Sequence, residues 1–110
     1  NLGIFSSFAA DEAYNSGTEY LDQEQYSQAI EGFDEAIRLD PQYTKAYLGR
    51  AYAYDELGQY QRAIDDLDEA IRLDPQYGGA YYNRGIAYHN LGQQELAERD
   101  FAKAKELRAE

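Results

Sequence analysis

Several residue types are scarce or missing from this chain of 110 residues, and each gap excludes a class of site. Because cysteine is absent, no disulfide framework and no thiolate metal site can form, and this absence fits any cellular compartment. His89 is the one histidine, so we predict no metal site. No apolar run approaches the roughly 18 residues that a spanning helix needs, so no direct membrane span is expected.

Basic residues are also in short supply. The chain has 10 Lys and Arg against 21 Asp and Glu, and the resulting net charge of −11 disfavours nucleic acid as a partner. The imbalance is graded, with net charges of −8 for residues 1–43, −3 for residues 44–77 and 0 for residues 78–110. This gradient predicts a partner segment that is neutral to basic, with its cationic part over the first third of the chain near Asp11 and Asp22.

What the chain has in abundance is internal repetition. The segment Asp34–Tyr43, DEAIRLDPQY, recurs letter for letter at Asp68–Tyr77, an offset of 34 residues. Such an identity indicates one supersecondary unit used more than once. We therefore aligned residues 10–43, 44–77 and 78–110, here called units one, two and three. The alignment gives an aromatic column and two columns of small residues: Tyr20, Tyr54 and Tyr88; Gly17, Ala51 and Gly85; Ala29, Ala63 and Ala97.

Each unit predicts two helices joined by a tight turn. The first helices are expected near residues 11–23, 45–57 and 79–91, and the second near 27–39, 61–73 and 95–108. Gly58 and Gly92 occupy the C-cap positions of their first helices, whereas Glu24 takes that place in unit one and predicts a less favourable turn. The acidic side of the second helix in unit two, which includes Asp66 and Asp68, is interpreted as a solvated surface.

These columns resemble the tetratricopeptide repeat (TPR), a 34-residue helix–turn–helix unit. Unit two matches this pattern with Tyr47, Ala51, Tyr54, Gly58, Tyr60, Ala63, Leu67, Ala70 and Pro75. Unit one departs from it, because Ala13 replaces a residue that is usually a large aromatic. The resemblance implies an all-α fold for residues 10–110, a right-handed α-solenoid of three antiparallel helix pairs. Residues 1–9 form a separate apolar N-terminal segment in this interpretation.

The resemblance also implies a function, which is to bind a peptide segment or helix of a partner protein in a concave groove. The chain would then serve as a scaffold or assembly factor in a larger complex. The family's geometry predicts that the first helices supply the groove residues, which are Tyr14, Asn15, Thr18, Lys45, Leu48, Tyr52, Asp55, Tyr82, Asn83, Ile86 and His89. The alternative is a structural subunit that stacks on itself, as a homo-oligomer, or on another chain.

Residues that would support catalysis are not arranged to do so. No carboxylate pair is set apart as acid and base, no serine has a histidine partner at a recognisable spacing, and Gly78-Gly79 does not follow a strand as a phosphate loop would. We therefore predict no catalytic residues, no cofactor and no enzyme activity; an enzyme or small-molecule sensor is the weakest alternative.

One subclass of the family clamps the terminal carboxylate of chaperone tails with lysine, asparagine and arginine side chains. The corresponding positions here hold Tyr14, Thr18, Gly49, Gly79 and Asn83, so the clamp is missing. Gly49 is unusual inside a helix, and we expect it to clear room for a ligand or for the next unit.

The two ends of the solenoid carry separate expectations. The apolar residues Leu2, Ile4, Phe5 and Phe8 are predicted to pack on unit one, in the same chain or against a neighbouring protein. At the other end, the partly polar second helix of unit three is expected to act as its own cap, with Phe101 turned inward to Tyr88.

Overall fold

The structure is a computed structural model, which describes the backbone of residues 2–109 and the side chains of residues 7–108. The described chain is entirely helical, as predicted. Its elements are α1 (Leu2–Asp22), α2 (Tyr26–Leu39), α3 (Thr44–Glu56), α4 (Tyr60–Leu73), α5 (Gly78–Asn90) and α6 (Gln94–Ala109). The predicted helix ends agree to about one residue, except that α1 begins at Leu2. The predicted boundary between residues 9 and 10 therefore lies inside a continuous helix.

The turns within the units follow the capping chemistry read from the sequence. The residue two positions after each first helix has a left-handed backbone, with φ of 59° at Glu24, 77° at Gly58 and 80° at Gly92. Glycine adopts this conformation without the steric cost that a Cβ atom brings. Glu24 therefore holds a strained position in unit one, as its place in the alignment predicted.

The helices pack so that the first helices form an inner layer. Each helix packs against the next in sequence, α1 also contacts α3, and α3 also contacts α5. Over the described residues no contact joins α2, α4 and α6 to one another. The second helices therefore lie farther apart than the first helices, which contact one another. This arrangement gives a solenoid whose concave side is formed by α1, α3 and α5.

Gly49 makes room for an aromatic ring of the preceding unit, and not for a ligand. A Cβ atom at Gly49 would lie 2.5 Å from Cζ of Phe33, and one at Gly17 would lie 2.8 Å from the other side of the same ring. Phe33 is fully buried between the two backbones. The glycines of α1 and α3 thus let the largest core side chain fill the interface between units one and two.

The interpretation of the acidic side of α4 as solvated is wrong for one of its residues. Asp66 is only 6% exposed, and it accepts hydrogen bonds from Nε and Nη2 of Arg50 at 2.9 and 2.7 Å. The third donor of Arg50, Nη1, reaches Asp34 of unit one at 2.8 Å. The same arrangement recurs one unit later, where an arginine binds an aspartate of its own unit and one of the preceding unit: Arg84, Asp100 and Asp68.

These two ion-pair clusters fix the register between units. Each guanidinium also lies over tyrosine rings of its own helix, at 5.8 Å from the Tyr47 centroid in the first cluster. Hydrogen bonds from Arg50 to Asp66 and Asp34 raise the pKa of Arg50 above its already high value, although burial opposes this, so the group stays charged. Because a bidentate arginine–carboxylate pair has a fixed geometry, each cluster holds its three helices in one relative orientation.

The two ends of the solenoid differ from expectation. Phe8 is 64% exposed and does not pack on unit one, while the side chains of Leu2, Ile4 and Phe5 lie outside the described residues. At the opposite end, the partly buried Phe101 ring lies 5.5 Å from the Tyr82 ring, whereas Tyr88 was its expected neighbour.

Candidate partner-binding groove

The surface that α1, α3 and α5 form together, here called the concave groove, contains a partly open pocket between α3 and α5. Its cavity measures about 150 Å³. Four of the predicted groove residues line it, namely Tyr52 and Asp55 from α3 and Asn83 and Ile86 from α5. The register of these helices places the four side chains together because the residues of each pair are separated by one helical turn.

Sequence reasoning missed the floor of this pocket. Ala51 and Leu67 are buried at its base, and Leu67 comes from the second helix of unit two. Both residues belong to columns of the repeat, so their burial was predictable. Their role in the groove was not, because it depends on the spacing between α3 and α5.

Asp55 gives the pocket a polar acceptor without a partner. Its Oδ1 atom is buried and has no hydrogen-bond partner among the described residues. Burial raises the pKa of this carboxyl above its ordinary value, and the side chain of Asn90 partly offsets that effect. A buried acceptor left unpaired costs free energy, so a ligand that displaces the groups covering Oδ1 and supplies a donor would be favoured at this point.

Tyr52 and Asn83 complete the recognition chemistry of the pocket. Tyr52 is 48% exposed, so its ring offers apolar area while its hydroxyl reaches water. The Asn83 amide has both donor and acceptor atoms and can bond to a peptide backbone. The pocket therefore combines an aromatic wall, a two-sided amide and an acceptor that lacks a donor.

In unit one the predicted groove residues are largely engaged with the protein itself. The Tyr14 ring stacks on the Tyr43 ring at 5.2 Å and lies 5.7 Å from the Phe33 ring. Thr18 donates its hydroxyl to the Tyr14 carbonyl at 3.0 Å. Tyr43 donates to Asp11 at 2.7 Å, and burial together with this bond raises the Tyr43 pKa well above its usual value.

The remaining predicted residues divide into exposed and packed ones. Asn15 and Lys45 are exposed, whereas Leu48 packs against the central core. His89 pairs with Gln94 at the start of α6, with 2.8 Å between Nδ1 and Oε1. Tyr82 is 53% exposed and covers Phe101. The structure thus brings four of the eleven predicted residues into one pocket.

In the part of the chain that the structure describes, no group of three or more His, Cys, Asp or Glu side chains is placed to hold a metal ion. None of the helices there is both long and apolar enough to cross a bilayer.

Comparison with known proteins gives a consistent result. A sequence model of the tetratricopeptide repeat matches residues 14–78, and a second matches residues 67–99. The Hsp70-Hsp90 organizing protein 1 of Glycine max is 43% identical over 49 residues, which is 44% of this chain and 9% of that protein. The chain spans less than a tenth of the length of the curated relatives it matches.

Solved structures resemble the whole solenoid. The first TPR domain of Spaghetti (RPAP3), bound to the HSP90 peptide SRMEEVD, superposes with a TM-score of 0.90 at 31% identity, covering 92% of this chain and 80% of that one. The TPR2B domain of yeast Sti1, in complex with an Hsp70 peptide, gives a TM-score of 0.91 at 28% identity, with 94% and 82% covered. The matched residues agree with the three helix pairs and their capping turns. This chain therefore belongs to the tetratricopeptide repeat family.

Proposed function

We propose that this chain is a non-enzymatic interaction module that holds an extended or helical segment of a partner protein in its concave groove. The observation that carries this proposal is the pocket between α3 and α5, where the Asp55 oxygen lacks a donor beside exposed Tyr52 and the Asn83 amide. The similar domains that bind HSP90 and Hsp70 peptides support peptide binding as the general mode. A scaffold role in a larger complex is the corresponding cellular function.

The chemistry of the groove favours a neutral to basic segment. Residues 1–43 have a net charge of −8, and the pocket offers an acceptor without a donor. An acidic tail such as SRMEEVD is not the expected ligand, because the positions of a carboxylate clamp hold no lysine or arginine here. We infer that the partner places a lysine, an arginine or a backbone N–H group against Asp55 and its apolar side chains against Tyr52.

A displayed library of random peptides, selected on the full chain, tests the proposal directly. Enriched sequences should be neutral to basic, and their association should slow with added salt because exposed charges are screened beyond about 8 Å at physiological ionic strength. The SRMEEVD peptide is the negative control. Enrichment of acidic peptides whose binding is insensitive to salt would contradict this assignment.

Titration of an enriched peptide then locates the site. Tyr52→Ala should weaken binding by about 1–3 kcal/mol, since aromatic anchors commonly contribute this much, while the fold is unchanged. The matched control is Tyr77→Ala, which removes a similarly exposed tyrosine away from the pocket. Full affinity in the Tyr52 variant would place the binding site elsewhere.

A further inference from the structure

The pocket between α3 and α5 lies beside a position where the repeat loses an aromatic ring. Leu67 occupies the column that Phe33 fills in unit one and Phe101 fills in unit three. Between α1 and α3 the buried Phe33 ring fills the corresponding space and lies against the backbones of Gly17 and Gly49. Between α3 and α5 the smaller Leu67 leaves a cavity of about 150 Å³. This space is therefore left for a side chain that the chain itself does not supply.

The volume and the floor of the pocket define what can enter it. A cavity of about 150 Å³ holds a group about as large as a benzene ring, so the pocket accepts one side chain and not a stretch of main chain. The floor is apolar because Ala51 and Leu67 are both buried there, and Ile86 adds an apolar wall. Since burial of apolar surface against such a floor is favourable, the occupant should have an apolar stem.

Two carboxylates at the pocket require the occupant to be more than apolar. Asp55 and Glu56 both line the pocket, and no lysine or arginine does. Among the described side chains neither carboxylate forms a salt bridge, and the hydrogen bond that Glu56 accepts comes from the Tyr26 hydroxyl at 3.4 Å. An apolar group that entered here would remove water from both carboxylates without replacing its hydrogen bonds, which costs free energy. The occupant should therefore end in a positive charge.

The hydrogen bonding of Asp55 distinguishes lysine from arginine as the occupant. The Asn90 side chain hydrogen-bonds to this carboxyl, and Oδ1 is the oxygen without a partner. An arginine binds a carboxylate best through both oxygens at once, as Arg50 does at Asp66. A lysine ammonium group is a compact charge with several donors on one nitrogen, so it can bind Oδ1 and Glu56 together. To reach Oδ1 it must displace the groups that cover this atom.

We propose that the pocket between α3 and α5 is a specificity pocket for a single lysine side chain of the partner. The aliphatic stem of that lysine lies over Leu67 and Ala51, and its ammonium group binds Asp55 and Glu56. The pocket belongs to the groove of the proposed function, on which this proposal rests. Because the pocket admits one side chain, the lysine determines which residue of the bound segment lies between α3 and α5.

The test uses short alanine peptides with capped ends, which differ only in one central residue. That residue is lysine, arginine or norleucine, which has the aliphatic stem of lysine without the ammonium group. Binding to the full chain is measured from amide shifts in NMR titrations. The lysine peptide should bind at least about tenfold more tightly than the norleucine peptide, since a hydrogen bond to a charged group contributes about that factor. The arginine peptide should bind more weakly than the lysine peptide, and the shifts should centre on residues 51–56 and 83–86.

Two variants of the chain separate the shape of the pocket from its charge. Leu67→Phe gives unit two the aromatic ring of units one and three and fills the cavity, so the shifts with the lysine peptide should disappear. Asp55→Asn keeps the shape and removes one charge, so the preference for lysine over norleucine should fall at least about fivefold. This second variant carries the test if the added ring overpacks against Ala51 and prevents folding. The matched control is Asp65→Asn, which makes the same charge change on the exposed side of α4 and should leave the preference unchanged.

Equal affinity of the lysine and norleucine peptides would overturn the proposal, as would the absence of shifts at the pocket with the lysine peptide. Tighter binding of the arginine peptide would overturn the choice of lysine. An equal loss of preference in Asp55→Asn and Asp65→Asn would also contradict it, because the net charge of −11 and not the pocket would then attract the peptide. Failure of the proposed function is separately visible, since that function predicts selected peptides whose binding depends on Tyr52, whichever residue enters the pocket.

Discussion

Replacing Gly49 by alanine has two opposite effects on the free energy of unfolding. On an exposed helix surface the change adds about 1 kcal/mol of stability, because glycine loses more backbone freedom on folding than alanine does. Here the new Cβ would lie 2.5 Å from Cζ of Phe33 and 2.8 Å from both Cε atoms. Real Cβ atoms do not approach other atoms so closely, so either the ring or α3 must move.

The Phe33 ring cannot move away from the new Cβ atom. Phe33 is fully buried, and the backbone of Gly17 closes its other side so tightly that a Cβ there would also lie 2.8 Å from the ring. Overpacking of a closed core costs about 1–3 kcal/mol, which exceeds the helix-propensity gain over most of that range. Because the ring is closed in on both sides, we take the upper part of that range, about 2–3 kcal/mol. After the helix-propensity gain of about 1 kcal/mol, we expect a net loss of about 1–2 kcal/mol, or a Tm lower by roughly 5–10 °C for a domain of this size.

The assay is urea or thermal unfolding followed by circular dichroism, with Gly79→Ala as the matched control. The Cβ added at Gly79 meets the Tyr77 ring at 2.7 Å, but that ring is 43% exposed and free to turn away. The control variant should therefore be neutral or slightly more stable. A double-mutant cycle with Phe33→Leu completes the test, because the smaller side chain should relieve part of the loss. A Gly49→Ala protein as stable as the parent would refute the argument that Phe33 fills a closed interface.

Three other perturbations test the packing and the electrostatics. Arg84→Leu should cost about 3 kcal/mol because it leaves the Asp100 carboxylate buried without its partner, and adding Asp100→Asn should recover most of that loss in urea unfolding. Ala63→Leu should lower stability by about 1–3 kcal/mol, since Ala63 is fully buried in the central core; an unchanged Tm would mean that its column is not an interface. Asp55→Asn should raise Tm at neutral pH by the equivalent of less than about 1 kcal/mol, because the group is partly solvated. The raised pKa of Asp55 means that ionisation disfavours the fold, so this gain should shrink as pH falls through that pKa, and a constant gain down to about pH 3 would contradict it.

The helices and their ends were predictable because local chemistry decides them. Gly58 and Gly92 adopt the left-handed backbone that ends a first helix, and Glu24 adopts it at greater cost, as the alignment indicated. Each of these features depends on a residue and its near neighbours in sequence. The repeat then supplies the fold, since three similar units can bury their apolar sides only by stacking.

The ion-pair clusters were missed for a physical reason. A helix taken alone places Asp66 on the polar side of α4, and only the position of α3 shows that this side faces Arg50. The signal was nevertheless present, because the arginine and both of its aspartate partners recur at the 34-residue offset in the next unit. In this chain the repeated arginine and its two aspartates lie where one unit meets the next.

The concave groove was predictable in outline and not in detail. Tyr52, Asp55, Asn83 and Ile86 meet in one pocket because the family's geometry faces α3 towards α5. Tyr14 belongs to the same predicted set, yet it stacks on Tyr43 from the segment that joins units one and two. The joining segment recurs at the 34-residue period, but the stacked pair does not, because Leu48 takes the place of Tyr14 in unit two.

The ion-pair clusters also account for how the groove is held ready to bind. Arg50 connects α2, α3 and α4, and Arg84 connects α4, α5 and α6, so every helix of the described chain except α1 is tied into one of the two clusters. Because Asp55 and Asn83 lie on the two helices that carry these arginines, their separation is set before a ligand arrives. A site fixed in advance loses little conformational freedom on binding, which favours affinity for a short segment. Loosening one cluster should therefore weaken peptide binding at the pocket even though neither arginine lines it.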